Sequence, residues 1–410
     1  MWRNIFEQLK LHLDKKEFTV LTGARQTGKS TLLRQLETYC KNELRVPCVF
    51  LNLENRAILA ELDKSPLNLL NFLPSTTEKV MVLIDEVQYL KDPSNFLKLI
   101  YDEHVTHIKI VSTGSSAFYL DDKFNDSLAG RKKIFRLLTC SFDEHLRLSG
   151  KNELLSEVER LQLQPQAKTL HLDYLKHEWE IYMLYGGYPA VVIEPDRREK
   201  SERLREIRDS YTKRDILEAG VQNEVVFYQL FRIIANQSGN ILNINELSST
   251  LRIKNETVEN YIALLQKCNH ISIVRPFYRN LRKELTKMPK VYMLDTGLRN
   301  CLLNNFQPLS LRSDKGELWE NVYFRMLVNR YDTDEINYWR TADQNEVDFV
   351  LPYAEQPFAV EVKYSESSIK QLKYKKFCEN YPDIPLHFAT MEPFNEDFIR
   401  NTVLAAKVDV

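Results

Sequence analysis

The segment Gly23-Ala24-Arg25-Gln26-Thr27-Gly28-Lys29-Ser30, continued by Thr31, constrains this chain more than any other. It fits the pattern GxxxxGK[ST] in full. Glycines at these places let backbone N–H groups turn inward around phosphates. Lys29 then reaches the outer phosphates, and the Ser30 hydroxyl is placed to ligate Mg²⁺. A helix starting at Ser30 aims its positive end at the same anion. The flanking pattern agrees: Phe18-Thr-Val-Leu-Thr is a short apolar run, and residues 30–39 have helical periodicity.

The stretch 17–150 goes on alternating strand and helix signals. Residues 46–53 read as a strand. Val80-Met-Val-Leu-Ile84 is an apolar strand that delivers Asp85 and Glu86, and residues 108–113 form another, ending at Gly114-Ser-Ser. Strands alternating with helices predict an α/β fold, a parallel sheet with helices on both faces. At such a phosphate site the first carboxylate, Asp85, holds Mg²⁺ through water, and Glu86 orients the attacking water. A hydroxyl after the next strand, Thr113 or Ser115, is a candidate to contact the outermost phosphate; a plain turn accounts for the segment as well, and the sequence does not choose between them.

The chain has 410 residues, 43% apolar and 28% charged, which fits two or three globular domains and excludes wholesale disorder. Its net charge of −1 excludes a wholly basic nucleic-acid coat. The charge is uneven, however. Residues 221–290 carry 10 Lys/Arg against 5 Asp/Glu, and residues 291–410 carry 13 against 19. The six cysteines form no CxxC pair, which fits a reducing cytoplasm and no zinc site. Glu7 and Lys10 interrupt what a signal peptide would need, and no apolar run is long enough for a membrane helix.

Residues 151–220 read as helices, broken at Gly186-Gly187-Tyr188-Pro189. Within 221–290, helical patterns near 225–235, after Asn243 and from Asn255 precede a strand pair, the outline of a winged helix. Lys254, Asn255, Thr257 and Asn260 then fall on or near a recognition helix, and Arg279, Arg282 and Lys283 on a wing, an arrangement suited to duplex DNA. Residues 310–410 form a last α/β unit, with a helix over 318–329, strands at 336–340, 347–351 and 358–362, and a basic helix over 368–378.

Three carboxylates and a lysine stand out in that unit. Lys315-Gly-Glu-Leu-Trp-Glu320 opens a helix, Asn345-Glu-Val-Asp348 enters a strand, and Glu361-Val-Lys363 lies on the next. Residues i and i+2 of a strand point the same way, so Glu361 and Lys363 share a face. Asp348 and Glu361, with Glu320 folding over them, can hold Mg²⁺ while Lys363 positions a water, the equipment of metal-assisted phosphodiester cleavage.

Ile84-Asp-Glu-Val-Gln88, Thr113-Gly-Ser-Ser, Leu128-Ala-Gly-Arg131, Ser141-Phe-Asp-Glu, Gly186-Gly-Tyr-Pro189 and Lys213-Arg-Asp215-Ile resemble prokaryotic AAA-type ATPases that end in a domain of unknown function. The C-terminal pattern resembles the PD-(D/E)xK, restriction-endonuclease-like superfamily, closest to junction-resolvase-type domains, without the leading proline. Gln371-Leu-Lys-Tyr374 is similar to an extra element of some such nucleases, although packing alone would account for it. The resemblance implies an AAA-like ATPase domain over 1–150, a helical lid over 151–220, a winged helix over 221–295 and a nuclease-like domain over 310–410. It also implies ATP as the nucleotide and an arginine completing the site, for which Arg131 and Arg214 are the candidates, in cis or from a second copy in a homo-oligomer.

The expectation is an ATP-hydrolysing cytoplasmic protein acting on DNA, with turnover gating a Mg²⁺-dependent nuclease-like domain. The alternatives are a nucleotide-dependent switch whose C-terminal domain docks a protein or nucleic-acid partner without cutting, and an ATP-regulated transcription factor.

Overall fold

A computed structural model describes residues 3–74, 78–114, 128–164, 166–218, 221, 223–278, 287–341 and 343–403; in residues 212–218 and 401–403 only the backbone is described. Ser115, Arg279, Arg282 and Lys283 lie outside these, as does the side chain of Arg214. The chain divides into two compact units, residues 1–139 with 267–269, and residues 140–266 with 270–410.

In the first unit, β1 (Phe18–Thr22), β2 (Cys48–Asn52), β3 (Val80–Asp85), β4 (Ile108–Gly114) and β5 (Lys132–Arg136) make one sheet in the order β2-β3-β4-β1-β5. Every pairing is parallel. Strands buried on both faces need apolar residues at consecutive positions, and β3 supplies Val-Met-Val-Leu-Ile. Val82 and Ile84 pack with Phe96, Leu97 and Ile100 of the helix Pro93–His104 on one side. Met81 and Leu83 pack with Leu32, Leu33 and Leu36 of the helix Lys29–Tyr39 on the other. The α/β sheet expected from the alternating pattern is therefore present, with β4 inserted between β1 and β3.

The second unit begins with the helices Phe142–Leu148, Asn152–Leu163, Leu172–Tyr185 and Arg197–Glu218. Three more follow, Glu224–Asn236, Ile244–Leu251 and Asn255–Lys267, and then β6 (Ile271–Pro276) and β7 (Lys290–Met293). After the helix Lys315–Leu327 come β8 (Asn337–Arg340), β9 (Glu346–Leu351), β10 (Phe358–Ser365) and β11 (Leu386–Glu392). All six strands form one sheet, ordered β11-β10-β9-β8-β6-β7. The hairpin read as part of the 221–295 segment thus continues the sheet of 310–410. The β6–β8 pairing spans only Arg275↔Asn337 and Pro276↔Tyr338. Side chains of β7 reach β9: the rings of Tyr292 and Phe349 stand 5.4 Å apart.

One expected element differs. Residues 368–378 do not form a single basic helix. A 3₁₀ turn, Gln371–Tyr374, comes first, and the helix runs Lys375–Asn380. The turn buries Tyr374 among Trp339, Phe377 and Tyr381, which a continuous solvated helix would not do.

Where the two units meet in sequence, the chain is hydrogen-bonded within each of them. Leu137 N donates to Thr22 O at 2.7 Å, and Arg3 donates to Leu138 O at 2.7 Å. At the other end Cys140 N donates to Gly187 O at 2.7 Å, and the Tyr182 hydroxyl donates to Cys140 O at 3.0 Å. A Cβ on Gly187 would lie 2.2 Å from Cys140 O, so no other residue fits there without backbone movement. The Gly-Gly break in the helical segment is where the chain passes close by.

Candidate functional site

The phosphate loop leaves the C-terminal end of β1. Gly23 has φ +156°, and a Cβ there would lie 2.1 Å from Leu137 O. Gly28, left-handed at φ 95°, caps the helix Lys29–Tyr39, whose first turn holds no acidic residue to quench its positive end. Lys29 is buried, and its ammonium donates to the carbonyls of Gly23 and Ala24, both at 2.9 Å. Thr27 Oγ1 donates to Ala24 O at 2.8 Å, and Arg3, a residue the sequence did not single out, donates to Thr27 O at 2.7 Å. Arg25 is half-buried, while Gln26, Ser30 and Thr31 are exposed. The loop is braced from within and open at its helix end.

Because β4 lies between β1 and β3, its end stands between the loop and Asp85. Thr113 occupies that place and is fully buried. Its hydroxyl donates to Asp85 Oδ1 at 2.5 Å and accepts from Glu86 N at 3.0 Å. Of the two hydroxyls left open by the sequence, Thr113 stands beside Asp85 and Glu86, and Ser115 lies outside the described residues. Glu86 sits in the left-handed region, φ 61° and ψ 50°, a conformation that costs a non-glycine residue about 1 kcal/mol or more and needs support. The Thr113 bond to its N–H supplies that support, and Gln88 Nε2 donates to its carboxylate. The Ser30 hydroxyl and Asp85 carboxylate are hard oxygen donors of the kind Mg²⁺ takes, and the ion would neutralise charge on the phosphates. Replacing Thr113 by valine keeps the shape and removes both bonds. We expect kcat for ATP to fall about 10- to 100-fold, about 1.4–2.7 kcal/mol in the barrier, with nucleotide affinity little changed, as read by steady-state turnover and equilibrium binding.

Arg131 is not brought to this site. It precedes β5, which runs parallel to β1 with Phe18 opposite Lys132, so it stands at the end of the sheet away from the loop. Its guanidinium makes two bonds to Asp102, at 2.6 and 3.3 Å.

The second unit gathers the other predicted residues. Val362 N donates to Asp348 Oδ2 at 2.9 Å, fixing β9 against β10. Lys363 Nζ pairs with Glu361 Oε1 and lies 3.9 Å from Asp348 Oδ2. Tyr374, packed in the core beneath, donates to Glu361 Oε1 at 2.8 Å. Glu361 Oε2 is buried without a hydrogen-bond partner. Burial, with Asp348 beside it, pushes the Glu361 carboxyl above its ordinary range against the opposing pull of Lys363. Glu320, on the helix Lys315–Leu327, accepts from the Tyr292 hydroxyl at 2.7 Å, and burial and Asp348 likewise raise its pKa.

Lys290 was missed by sequence reasoning. It starts β7, is 2% exposed, and lies 2.6 Å from Glu346, 3.3 Å from Glu320 and 3.5 Å from Asp348. Burial opposes its charge, but these carboxylates and Tyr292 outweigh it and raise its pKa well above normal. The only sequence signal was a lysine at the head of an apolar strand, a residue rarely buried unless paired. Among the described residues no three His, Cys, Asp or Glu side chains are grouped so as to hold a metal ion. Lys290 and Lys363 lie among the carboxylates, so Glu320, Asp348 and Glu361 do not form a three-carboxylate metal cluster.

Comparison with known proteins bears on the first unit most directly. A model of the AAA domain matches residues 15–146. Residues 15–146 thus carry an AAA-type ATPase domain. Models of two domains of unknown function match residues 176–309 and 315–399. An uncharacterized protein of Methanocaldococcus jannaschii, MJ1637, is 25% identical over 385 residues, 88% of this chain and 78% of its own. An uncharacterized protein of Haemophilus influenzae is 25% identical over 372 residues, 88% of this chain and 86% of its own. Among solved structures, the Aeropyrum pernix ORC1 protein in complex with DNA has 12% identity and a TM-score of 0.34, covering 74% of this chain and 93% of that one. The Thermotoga maritima RuvB Holliday junction branch migration motor has 17% identity and a TM-score of 0.32, covering 69% and 93%. Among the described residues, no helix is long and apolar enough to cross a membrane.

Proposed function

We propose that the chain binds and hydrolyses ATP with Mg²⁺ and acts on DNA, with turnover in the AAA domain gating the 221–295 segment, read as a winged helix, and the nuclease-like site of 310–410. The observation that carries the ATPase part is the Thr113 hydroxyl, which ties Asp85 to Glu86 beside a complete phosphate loop. Residues Gly23 to Thr31 would bind the phosphates, with Lys29 on the outer ones. Glu86 would orient the attacking water. Support for DNA as the partner comes from the charge of 221–290 and from three exposed residues, Asn255 and Asn260 on the helix ahead of the hairpin and Lys254 just before it. The nuclease-like reading rests on Asp348, Glu361 and Lys363 meeting on one sheet face under Glu320, with Lys363 the group that would position a water.

The test combines ATP turnover with and without DNA, and cutting of linear, single-stranded and branched DNA with Mg²⁺ or Mn²⁺. DNA is expected to speed turnover. Lys363→Ala is expected to lower cutting at least about a hundredfold and to leave ATP turnover alone. Cutting that persists in Lys363→Ala would remove this residue from the mechanism.

The place of Lys290 favours a second reading, in which the C-terminal unit docks a protein or nucleic-acid partner without cutting. ATP turnover indifferent to DNA, together with intact substrate DNA, would select it.

A further inference from the structure

Lys290 stands among three carboxylates, two of them in the site read as nuclease-like. Its ammonium faces carboxylates from the helix Lys315–Leu327, through Glu320, and from β9, through Glu346 and Asp348. The ring of Tyr338 on β8 lies 5.6 Å away, completing a surround that is acidic or π-electron rich. The position is a built one. Lys290 is held in register by pairing with Val274 on β6 and by a bridge to Ile241. Glu320 is further committed by the Tyr292 hydroxyl, and Glu346 by Arg340 at 3.3 Å. The cation is thus supplied by the hairpin that lies earliest in this sheet, and the carboxylates by the strands and helix that follow.

We propose that Lys290 is a built-in cation that takes the place of a divalent ion at the Glu320 side of this site, so that Glu320 is not a metal ligand in the native protein. A buried ammonium among carboxylates offsets part of their charge at all times and repels an incoming divalent ion. Any ion the site accepts is confined to Asp348 and Glu361, where Oε2 has no hydrogen-bond partner. The inference concerns the same residues as the nuclease-like reading, but it is read by counting ions and not by cutting DNA.

The experiment titrates full-length, nucleotide-free protein with Mn²⁺ and counts bound ions by electron paramagnetic resonance. Wild type and Glu320→Gln are expected to give the same isotherm. Lys290→Met, close in length and uncharged, is expected to gain one bound Mn²⁺ equivalent that the wild type lacks. The double variant Lys290→Met/Glu320→Gln is expected to lose that gain. Mn²⁺ binding at the AAA domain is common to all four proteins and cancels. Weaker binding in Glu320→Gln than in wild type would overturn the proposal, as would a Lys290→Met protein that gains nothing. If Lys290→Met does not fold, the first comparison decides alone. Absence of DNA cutting would count against the nuclease-like reading and leave this comparison standing.

Discussion

Lys29→Ala is expected to lower ATP turnover at least about a thousandfold, a loss of about 4 kcal/mol in transition-state stabilisation. The size follows from what the side chain does. It is the one cation of the loop itself that is buried and anchored, held by the carbonyls of Gly23 and Ala24. Charge builds on the phosphate oxygens during transfer, and a point charge already in place need not reorganise to meet it. Alanine removes that charge and its bonds to Gly23 O and Ala24 O, the second of which keeps the Thr27 hydroxyl as a donor. Nucleotide affinity therefore falls along with kcat. Turnover by released phosphate and binding by fluorescent nucleotide measure the two effects separately. A Lys29→Ala protein with undiminished turnover would show that the hydrolysis comes from elsewhere.

Glu86→Gln separates binding from chemistry. Glutamine keeps the size and the hydrogen-bonding reach but loses the basic carboxylate. Turnover is expected to drop about 10²- to 10⁴-fold, the range for removing a positioned base. ATP binding should persist, because the phosphates contact the loop and not Glu86. The left-handed backbone at this residue makes the comparison with alanine informative. Both variants keep the Thr113 bond to the residue's N–H, so a structural loss common to any substitution would appear in each. A Glu86→Gln protein that turns over ATP normally would remove the carboxylate from the mechanism.

The sequence made some of this architecture plain and hid the rest for a physical reason. The phosphate loop is contiguous, and its glycines, lysine and serine must stand at fixed spacing, so Gly23 to Ser30 could be read directly. Asp85 and Glu86 were legible because a fully apolar strand ends on them. Glu361 and Lys363 were legible because a strand has a period of two. What could not be read depends on which strands become neighbours. Thr113 matters because β4 is inserted between β1 and β3, an order that no local pattern states. Arg131 stands away from the phosphate loop because β5 runs parallel to β1. Lys290 joins Glu320, Glu346 and Asp348 only because the hairpin of β6 and β7 continues the C-terminal sheet. Tyr374 reaches Glu361 because the expected helix gives way to a tight turn. Local chemistry shows in the sequence, whereas long-range adjacency is decided by packing.

The stretch from Leu137 to Cys140 is fastened within each unit separately. In the first unit Leu137 N and Leu138 O are bonded to the base and brace of the phosphate loop, and in the second Cys140 is bonded to Gly187 and Tyr182. Glycine at both places, Gly23 and Gly187, lets backbone lie against backbone with no side chain between. A methyl group at either glycine would loosen the unit that holds it, the phosphate loop in one case and the turn between helices in the other.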